Sequence, residues 1–582
     1  MWQSLRKASG FAPNPHTLRL TARGRRASLK PRFEALEDRR LMAVDVILEW
    51  NDILLQANAN DHSLSAPEQG GPILTARAFA IVSAAMYDAY NSVEHIGESF
   101  LVSIPRASKA DSDAAVAQAA HDTLSALFPT QKSSFDSALR QTLHRIQNGL
   151  SEIQGRVVGA LVARRFLADR ADDGTAELAN NTYVYNGLPG FHKADPLHPD
   201  QGYYASSAMD VDPFAVDDLE QFAARHLDDA TPEGRLEFLG SEEYTLAYNE
   251  VLALGGDGSV NSPTERTAEQ TEIGIYWAYD GRPGLGTPPR LYNQIVRTVA
   301  ADQHNSEAEN ARLFALVNVA MADAGLTAWT NKYDDSFWRP IMGIRKGDLD
   351  ENPDTEGIAN WTPLGAPASN PQPGESNFTP PFPAYTSGHA TFGAATFQIL
   401  TRFYGRDDIS FTFVSDELNG VTLDADGTER PLVSRTFESF SEAKLENAQS
   451  RIYLGIHWAF DRDDGIRTGD QVADYVFENF FEARRVRPPR DHHGSDGSNY
   501  LSSGQRDDDE GRDRGPSIQA ERLNVAGPVV SGGQTASQMV DSVMSQIGED
   551  DGVDDRLRRR ATEAAAELAS ALDTRLDGQA VK

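Results

Sequence analysis

Apolar residues recur at helical spacing through most of the chain. In Asn305 to Lys332, Leu313, Phe314, Val317, Met321 and Ala324 form a stripe wide enough for a helix buried in a bundle. The same period predicts helical structure over Asp45 to Arg106. Further helices are predicted over Ser112 to Leu127, Gln131 to Asp169, Ser241 to Leu254, Glu265 to Tyr279 and Pro289 to Asp302. Another runs from Ala390 to Tyr404, where Phe392, Ala395, Ile399 and Phe403 repeat. Residues 174–240 are rich in Pro, Gly, Asn and Tyr and read as long ordered loops. Strand-like alternation is scarce. The expected fold is all-α, a large helical bundle with long loops.

The pattern changes at both ends and divides the chain into 1–43, 44–487 and 488–582. Residues 1–40 hold ten Lys or Arg against three Asp or Glu, while the whole chain carries a net charge of −32. The body is therefore strongly acidic, which argues against a nucleic-acid partner. Residues 488–520 are full of Arg, Asp, Gly and Ser and are expected to be flexible, with His492 and His493 among them. One further helix is predicted over Asp554 to Thr574, with Leu557, Ala561, Ala564, Leu568 and Leu572 on one side. With no cysteine, disulfides, thiolate catalysis and zinc–thiolate sites are excluded. No run of 18 or more apolar residues occurs, so no membrane-spanning helix is expected.

Against that acidic background, three short motifs gather cations and histidines. The first is Lys332-Tyr-Asp-Asp-Ser-Phe-Trp-Arg339-Pro340. Its two cations are seven residues apart, so a continuous helix puts both on one face, with Pro340 leaving Arg339 near the helix end. The second is Phe382-Pro-Ala-Tyr-Thr386-Ser387-Gly388-His389. A helix beginning after it points free N–H groups at an anion, Gly388 permits close backbone approach, and the Ser387 hydroxyl adds a donor. The third is Ser450-Arg451-Ile-Tyr-Leu-Gly-Ile-His457-Trp-Ala-Phe-Asp461. Read as helix, it stacks Ser450, Leu454, His457 and Asp461 in one stripe. Asp461 then accepts the Nδ1 proton of His457 and leaves Nε2 free as metal ligand or nucleophile. Arg451 reaches the same anion with its long side chain. His389 lacks a local carboxylate and suits general acid/base work. Singly, these motifs are a solvated helix face, a turn and a surface pair; in this order they describe a tetrahedral oxyanion held beside a proton-transfer group. Asp323 is a further candidate, as a carboxylate behind one of the arginines. Asp424-Ala-Asp426-Gly427 lacks the remaining ligands of a calcium loop and reads as a turn.

The three motifs resemble the signature shared by vanadium-dependent haloperoxidases and type-2 phosphatidic acid phosphatases. Thr386 stands where the usual middle motif has proline. A longer than usual gap from His389 to Ser450 suggests an inserted loop around Asp416 to Pro431. The haloperoxidase branch is also resembled at Trp50-Asn51, Arg77 to Asn91, Tyr244 to Val251, Arg266-Thr267, Tyr276-Trp277 and Phe437 to Ala443. The likeness covers roughly residues 44–485. It implies a haloperoxidase-like helical fold and a vanadate cofactor, with His457 as the axial metal ligand. Lys332, Arg339, Ser387, Gly388 and Arg451 would bind the equatorial oxygens, and His389 would assist peroxide binding. Trp329 and Phe382 would line the halide pocket, as in chloroperoxidases of the family. The implied reactants are hydrogen peroxide, halide and a small organic acceptor, and a homodimer is the expected assembly.

Two rivals remain open at this level. One is a phosphatase on the same scaffold, in which His457 attacks phosphorus and His389 protonates the leaving group. The other is a non-enzymatic oxyanion-binding protein, which would need the cations more than both histidines. Residues 32–43, Arg32-Phe-Glu-Ala-Leu36-Glu37-Asp-Arg39-Arg-Leu41-Met-Ala43, resemble a short N-terminal motif of planctomycete proteins thought to be exported. An extracytoplasmic location is therefore expected, the alternative being a basic tail in the cytoplasm.

Overall fold

A computed structural model describes residues 45–228, 231–483 and a few helical positions between 559 and 566. The basic N-terminal segment, the stretch holding His492 and His493, and most of the expected tail helix lie outside the described residues.

Among the described residues from Val46 to Asn479, the helical period is realised in fourteen α-helices. They are α1 (Val46–Asp61), α2 (Gly71–Glu94), α3 (Ser112–Leu127), α4 (Lys132–Leu143), α5 (Leu150–Asp169), α6 (Pro232–Leu239) and α7 (Glu242–Leu254). Then follow α8 (Ala268–Tyr276), α9 (Pro288–Asp302), α10 (Glu307–Asp335), α11 (Pro340–Arg345), α12 (Gly388–Tyr404), α13 (Phe440–Tyr453) and α14 (Ala459–Asn479). A two-stranded antiparallel sheet, β1 (Phe411–Asn419) and β2 (Leu432–Phe437), separates α12 from α13. The fold is all-α, as the periodicity predicts. The expected single helix over Gln131 to Asp169 is broken between α4 and α5, and the insertion expected around Asp416 to Pro431 is the end of this hairpin rather than a loop. Its turn holds Asp424 N–H on the Thr428 carbonyl at 2.8 Å, with Gly427 in the left-handed region (φ 82°), so the Asp424–Gly427 segment is a turn.

Helix α10 is the axis of the bundle. It packs on α2, α12 and α14, and α12 lies along α14 and α13. A capping box formed by Ser306 and Glu309 starts α10, and Ser336 in the left-handed region (φ 48°) ends it. By composition α10 is long and apolar enough to cross a bilayer, but that stretch is entirely buried within the bundle. The helices approach closely where side chains are small. A Cβ placed on Gly159 of α5 would lie 2.2 Å from the Ala115 carbonyl of α3, and one on Gly469 of α14 would lie 2.3 Å from the Thr391 carbonyl of α12. Asp323, on α10, does not back an arginine of the site. Its carboxylate accepts the N–H groups of Phe214, Ala215 and Val216 at 2.6, 2.7 and 2.9 Å and ties down the long loop before α6. Three buried N–H groups outcompete a cation here because the loop has no ladder of its own to satisfy them.

Gly469→Ala should cost about 1–3 kcal/mol of stability, because the added methyl meets backbone that cannot move without separating α12 from α14. Urea unfolding of both proteins measures this, and an unchanged midpoint would contradict the close packing.

Candidate active site

The three motifs meet, but not all through the local structure their spacing suggests. Lys332 is in the last turn of α10. Arg339 is not on that helix. The chain leaves α10 at Ser336, and Phe337 and Trp338 run extended alongside Gly190 to His192 and Ala384. Arg339 is the residue before α11, whose first position is Pro340. The proline thus opens a helix rather than closing one. The third motif is also split. Helix α13 ends at Tyr453, Gly455 turns the chain in the left-handed region (φ 71°), and Trp458 precedes α14. The single stripe expected from Ser450 to Asp461 is therefore absent. A spacing of four still joins His457 to Asp461, because Asp461 sits in the first turn of α14 and reaches back. Its Oδ2 accepts His457 Nδ1 at 2.9 Å and Trp458 N–H at 3.0 Å. The middle motif matches expectation: Ser387 caps α12, and its hydroxyl accepts the Ala390 N–H at 3.4 Å. Ser387 N–H binds the Asp461 carbonyl at 3.0 Å, which fastens the second motif to the third.

Every group of the site is buried. Lys332, Arg339, Ser387 and Asp461 are fully inaccessible, Arg451 and His457 nearly so, and His389 keeps 7% of its surface. Arg339 donates from Nε to the Phe382 carbonyl at 2.8 Å, and from Nη1 to the Ile456 carbonyl at 2.8 Å and His457 Nε2 at 2.9 Å. Arg451 donates from Nη2 to both oxygens of Asp280 at 2.8 and 2.9 Å. Three guanidinium nitrogens, Arg339 Nη2 and Arg451 Nε and Nη1, are buried with no acceptor among the described residues. Buried charged donors left unpaired are costly, so a site built this way fits a bound anion. Lys332 differs from expectation: its ammonium bonds the carbonyls of Pro383 and Ala384, both at 3.1 Å, and of Thr386. It contributes charge while holding the 383–386 loop in place. Gly388 packs closely on the aromatic pair, since a Cβ there would lie 3.0 Å from the Trp329 ring.

The charge excess shows in the titrating groups. Burial, then Arg339, pulls Lys332 well below the usual lysine value. Burial, then Arg339 and Lys332, holds His457 well below the ordinary histidine value. Burial and Arg451 do the same to His389. Burial pushes Asp461 up to about 7. Both histidines are thus neutral near pH 7, and their tautomers follow from their partners. His457 donates through Nδ1 and presents a lone pair on Nε2. His389 donates Nε2–H to the Ala278 carbonyl at 2.5 Å, which leaves Nδ1 as its proton-accepting atom.

Trp329 and Phe382 stand together, with ring centroids 4.8 Å apart. Lys332 Nζ lies 5.3 Å from the Trp329 ring and 5.1 Å from that of Phe382, and the Arg339 guanidinium carbon lies 4.9 Å from the latter. The expected halide-pocket pair is therefore beside the cations. Sequence reasoning missed two contributors, Asp280 and the Ala278 carbonyl. Both lie just beyond α8, and nothing local signals their distant partners except the Asp280-Gly281 turn pair. It also missed His192, a buried histidine against Tyr183 and Tyr203 whose charge is suppressed by burial, Arg339 and Lys332.

Comparisons with known proteins show which family the chain belongs to. Residues 312–485 match the family described as the VCPO second helical-bundle domain, and residues 36–166 match the vanadium chloroperoxidase N-terminal domain. The vanadium chloroperoxidase of Curvularia inaequalis is 35% identical over 547 residues, covering 80% of this chain and 86% of that protein. The chain belongs to the vanadium haloperoxidase family. Two solved structures share its fold. A bacterial vanadium-dependent iodoperoxidase superposes with a TM-score of 0.58 at 21% identity, covering 75% of this chain and 97% of that one. A bacterial vanadium-dependent chloroperoxidase superposes with a TM-score of 0.53 at 15% identity, covering 74% and 97%.

Removing the carboxylate behind His457 tests the site directly. Asp461→Ala should weaken vanadate binding about 10–100-fold by freeing the ring to turn and change tautomer. Isothermal titration calorimetry reads this, and unchanged affinity would remove Asp461 from its assigned role.

Proposed function

We propose that the protein is a vanadate-dependent haloperoxidase, which uses hydrogen peroxide to oxidise halide to hypohalous acid. The observation that carries this reading is the set of buried, unpaired guanidinium donors on Arg339 and Arg451 around a histidine whose Nδ1–H is held by Asp461, so that Nε2 is the accepting atom, met in this structure by Arg339 Nη1 at 2.9 Å. When bound, vanadate supplies a Lewis-acidic centre that activates peroxide without changing its own oxidation state.

This chain's residues hold and surround that group. His457 offers Nε2 as the metal ligand, fixed by Asp461. Arg339 and Arg451 donate to the oxyanion, and Asp280 aims Arg451. The first turn of α12, from Gly388, adds N–H groups without intrahelical acceptors. Lys332 adds charge that the field of the oxyanion sustains. His389 Nδ1 accepts a proton that peroxide loses and returns it as the products form, while the conversion of hydrogen peroxide and halide to hypohalous acid and water takes up one further proton from solvent. Trp329 and Phe382 give the halide a dry aromatic wall beside Lys332 and Arg339, where negative charge is favoured and water is excluded. A small organic acceptor would be halogenated by the product, and no groove specific for one is needed.

A phosphatase would use the same cations and both histidines. The 35% identity to a chloroperoxidase and the aromatic pair favour the peroxidase. One purified preparation decides between them. Loaded with vanadate, it should halogenate a trapping dye from peroxide and bromide or chloride, with inhibition by phosphate. Ester hydrolysis by the vanadate-free protein, blocked by vanadate and without halogenation, would instead establish the phosphatase.

The two histidines should separate. His457→Ala should abolish vanadate binding. His389→Ala should bind vanadate and lose turnover by about 100-fold or more. Equal loss of affinity in both would contradict the division of labour.

A further inference from the structure

Two groups that the site depends on come from one short segment after α8. The Ala278 carbonyl accepts His389 Nε2–H, and the Asp280 carboxylate accepts Arg451. Between them Tyr279 sits in the left-handed region (φ 46°), a conformation that a bulky residue adopts only when its surroundings impose it. The hairpin imposes it. Glu417 of β1, fully buried, accepts Tyr279 N–H at 3.0 Å. Asp416 N–H donates to the Tyr279 hydroxyl at 2.7 Å, and Ser415 donates to the Tyr276 carbonyl at 2.6 Å. The other oxygen of Glu417 is held by the Ser369 hydroxyl and by Arg430, both at 2.5 Å.

We propose that Glu417 is a positioning residue for the active site: its bond to Tyr279 N–H sets the 278–280 segment so that Ala278 fixes the His389 tautomer and Asp280 aims Arg451. The hairpin that lengthens the gap between the second and third motifs is thereby a working part of the site. The Glu417–Arg430 pair is buried on both sides. Its function in this arrangement is to keep a strong acceptor immobile opposite a strained N–H. Without that acceptor the N–H is buried and unpaired, and Tyr279 relaxes toward ordinary backbone. Ala278 and Asp280, its immediate neighbours, move with it. Oxyanion affinity falls through Arg451, and proton transfer changes through His389.

The inference rests on the proposed vanadate-binding site, and its test is built from two double variants of the full chain. Glu417→Gln with Arg430→Met keeps an acceptor for Tyr279 and removes the buried cation. Glu417→Leu with Arg430→Met removes the acceptor as well. Both leave no unpaired buried charge in the hairpin, since Asp424, the other partner of Arg430, is partly exposed to water, and circular dichroism with thermal melts confirms that each is folded. Vanadate affinity is measured by calorimetry, with phosphate as a second probe. The kcat, the KM for peroxide and the pH profile of turnover are measured on vanadate-saturated enzyme. The Gln/Met pair should stay within about threefold of the parent in affinity, whereas the Leu/Met pair should bind at least about tenfold more weakly. The Leu/Met pair should also show a shifted pH profile and a lower kcat. A purely structural role would lower the melting temperature of the Leu/Met pair but leave its affinity and pH profile at the level of the Gln/Met pair; that result overturns the proposal. A parent protein that binds neither vanadate nor phosphate overturns the underlying site instead.

Discussion

Three cations are buried at the meeting point of α10, α12 and the start of α14, and two of them carry guanidinium donors with no acceptor among the described residues. The rest of the site follows from that constraint. Asp280 offsets part of the charge by pairing with Arg451 through Nη2 alone, while Asp461 is committed to His457 and a helix N-terminus. Both histidines are kept neutral by burial and the same cations. In the proposed reading a tetrahedral oxyanion answers that charge, and its arrival would turn an electrostatic cost into a preorganised field.

The fold supplies rigidity where this arrangement needs it. Helix α10 delivers Lys332 at its end, α12 delivers its own N-terminus, and their small-residue contacts with neighbouring helices fix the distances between them. An aromatic floor including Tyr244, Phe337, Trp338, Tyr385, Trp458 and Phe460 lies under the loops that carry Arg339 and His457. The Trp458 indole donates to the Trp338 carbonyl at 2.9 Å and ties those two loops together. Groups carried by loops are thus held nearly as firmly as groups carried by helices, as a site tolerant of little displacement requires.

How much of this was legible in the sequence depended on range. The buried periodicity of α10 and α12 gave the helices, and Ser387-Gly388 before an apolar run gave the capped start of α12. The His457–Asp461 pair was also legible, although for a different reason than its spacing suggested. Four residues span one helical turn, and they equally span the entry to a helix, where an acidic first-turn residue reaches back. Gly455 was the local sign of that break. Pro340 was ambiguous in the same way, since proline both stops one helix and opens another. The partners of His389 and Arg451 were not legible, because a backbone carbonyl has no sequence signature and Asp280 meets Arg451 only through tertiary folding. The same holds for Lys332, whose donors go to backbone, and for Asp323, whose carboxylate holds a loop.

The account stands on the buried cations requiring an oxyanion. Titrating the purified, vanadate-free protein with orthovanadate while recording its melting temperature tests this most directly. The expected result is saturable binding of one vanadate per chain, with a rise in melting temperature that phosphate competes away. Absence of saturable binding, or a melting temperature insensitive to both anions, would contradict it.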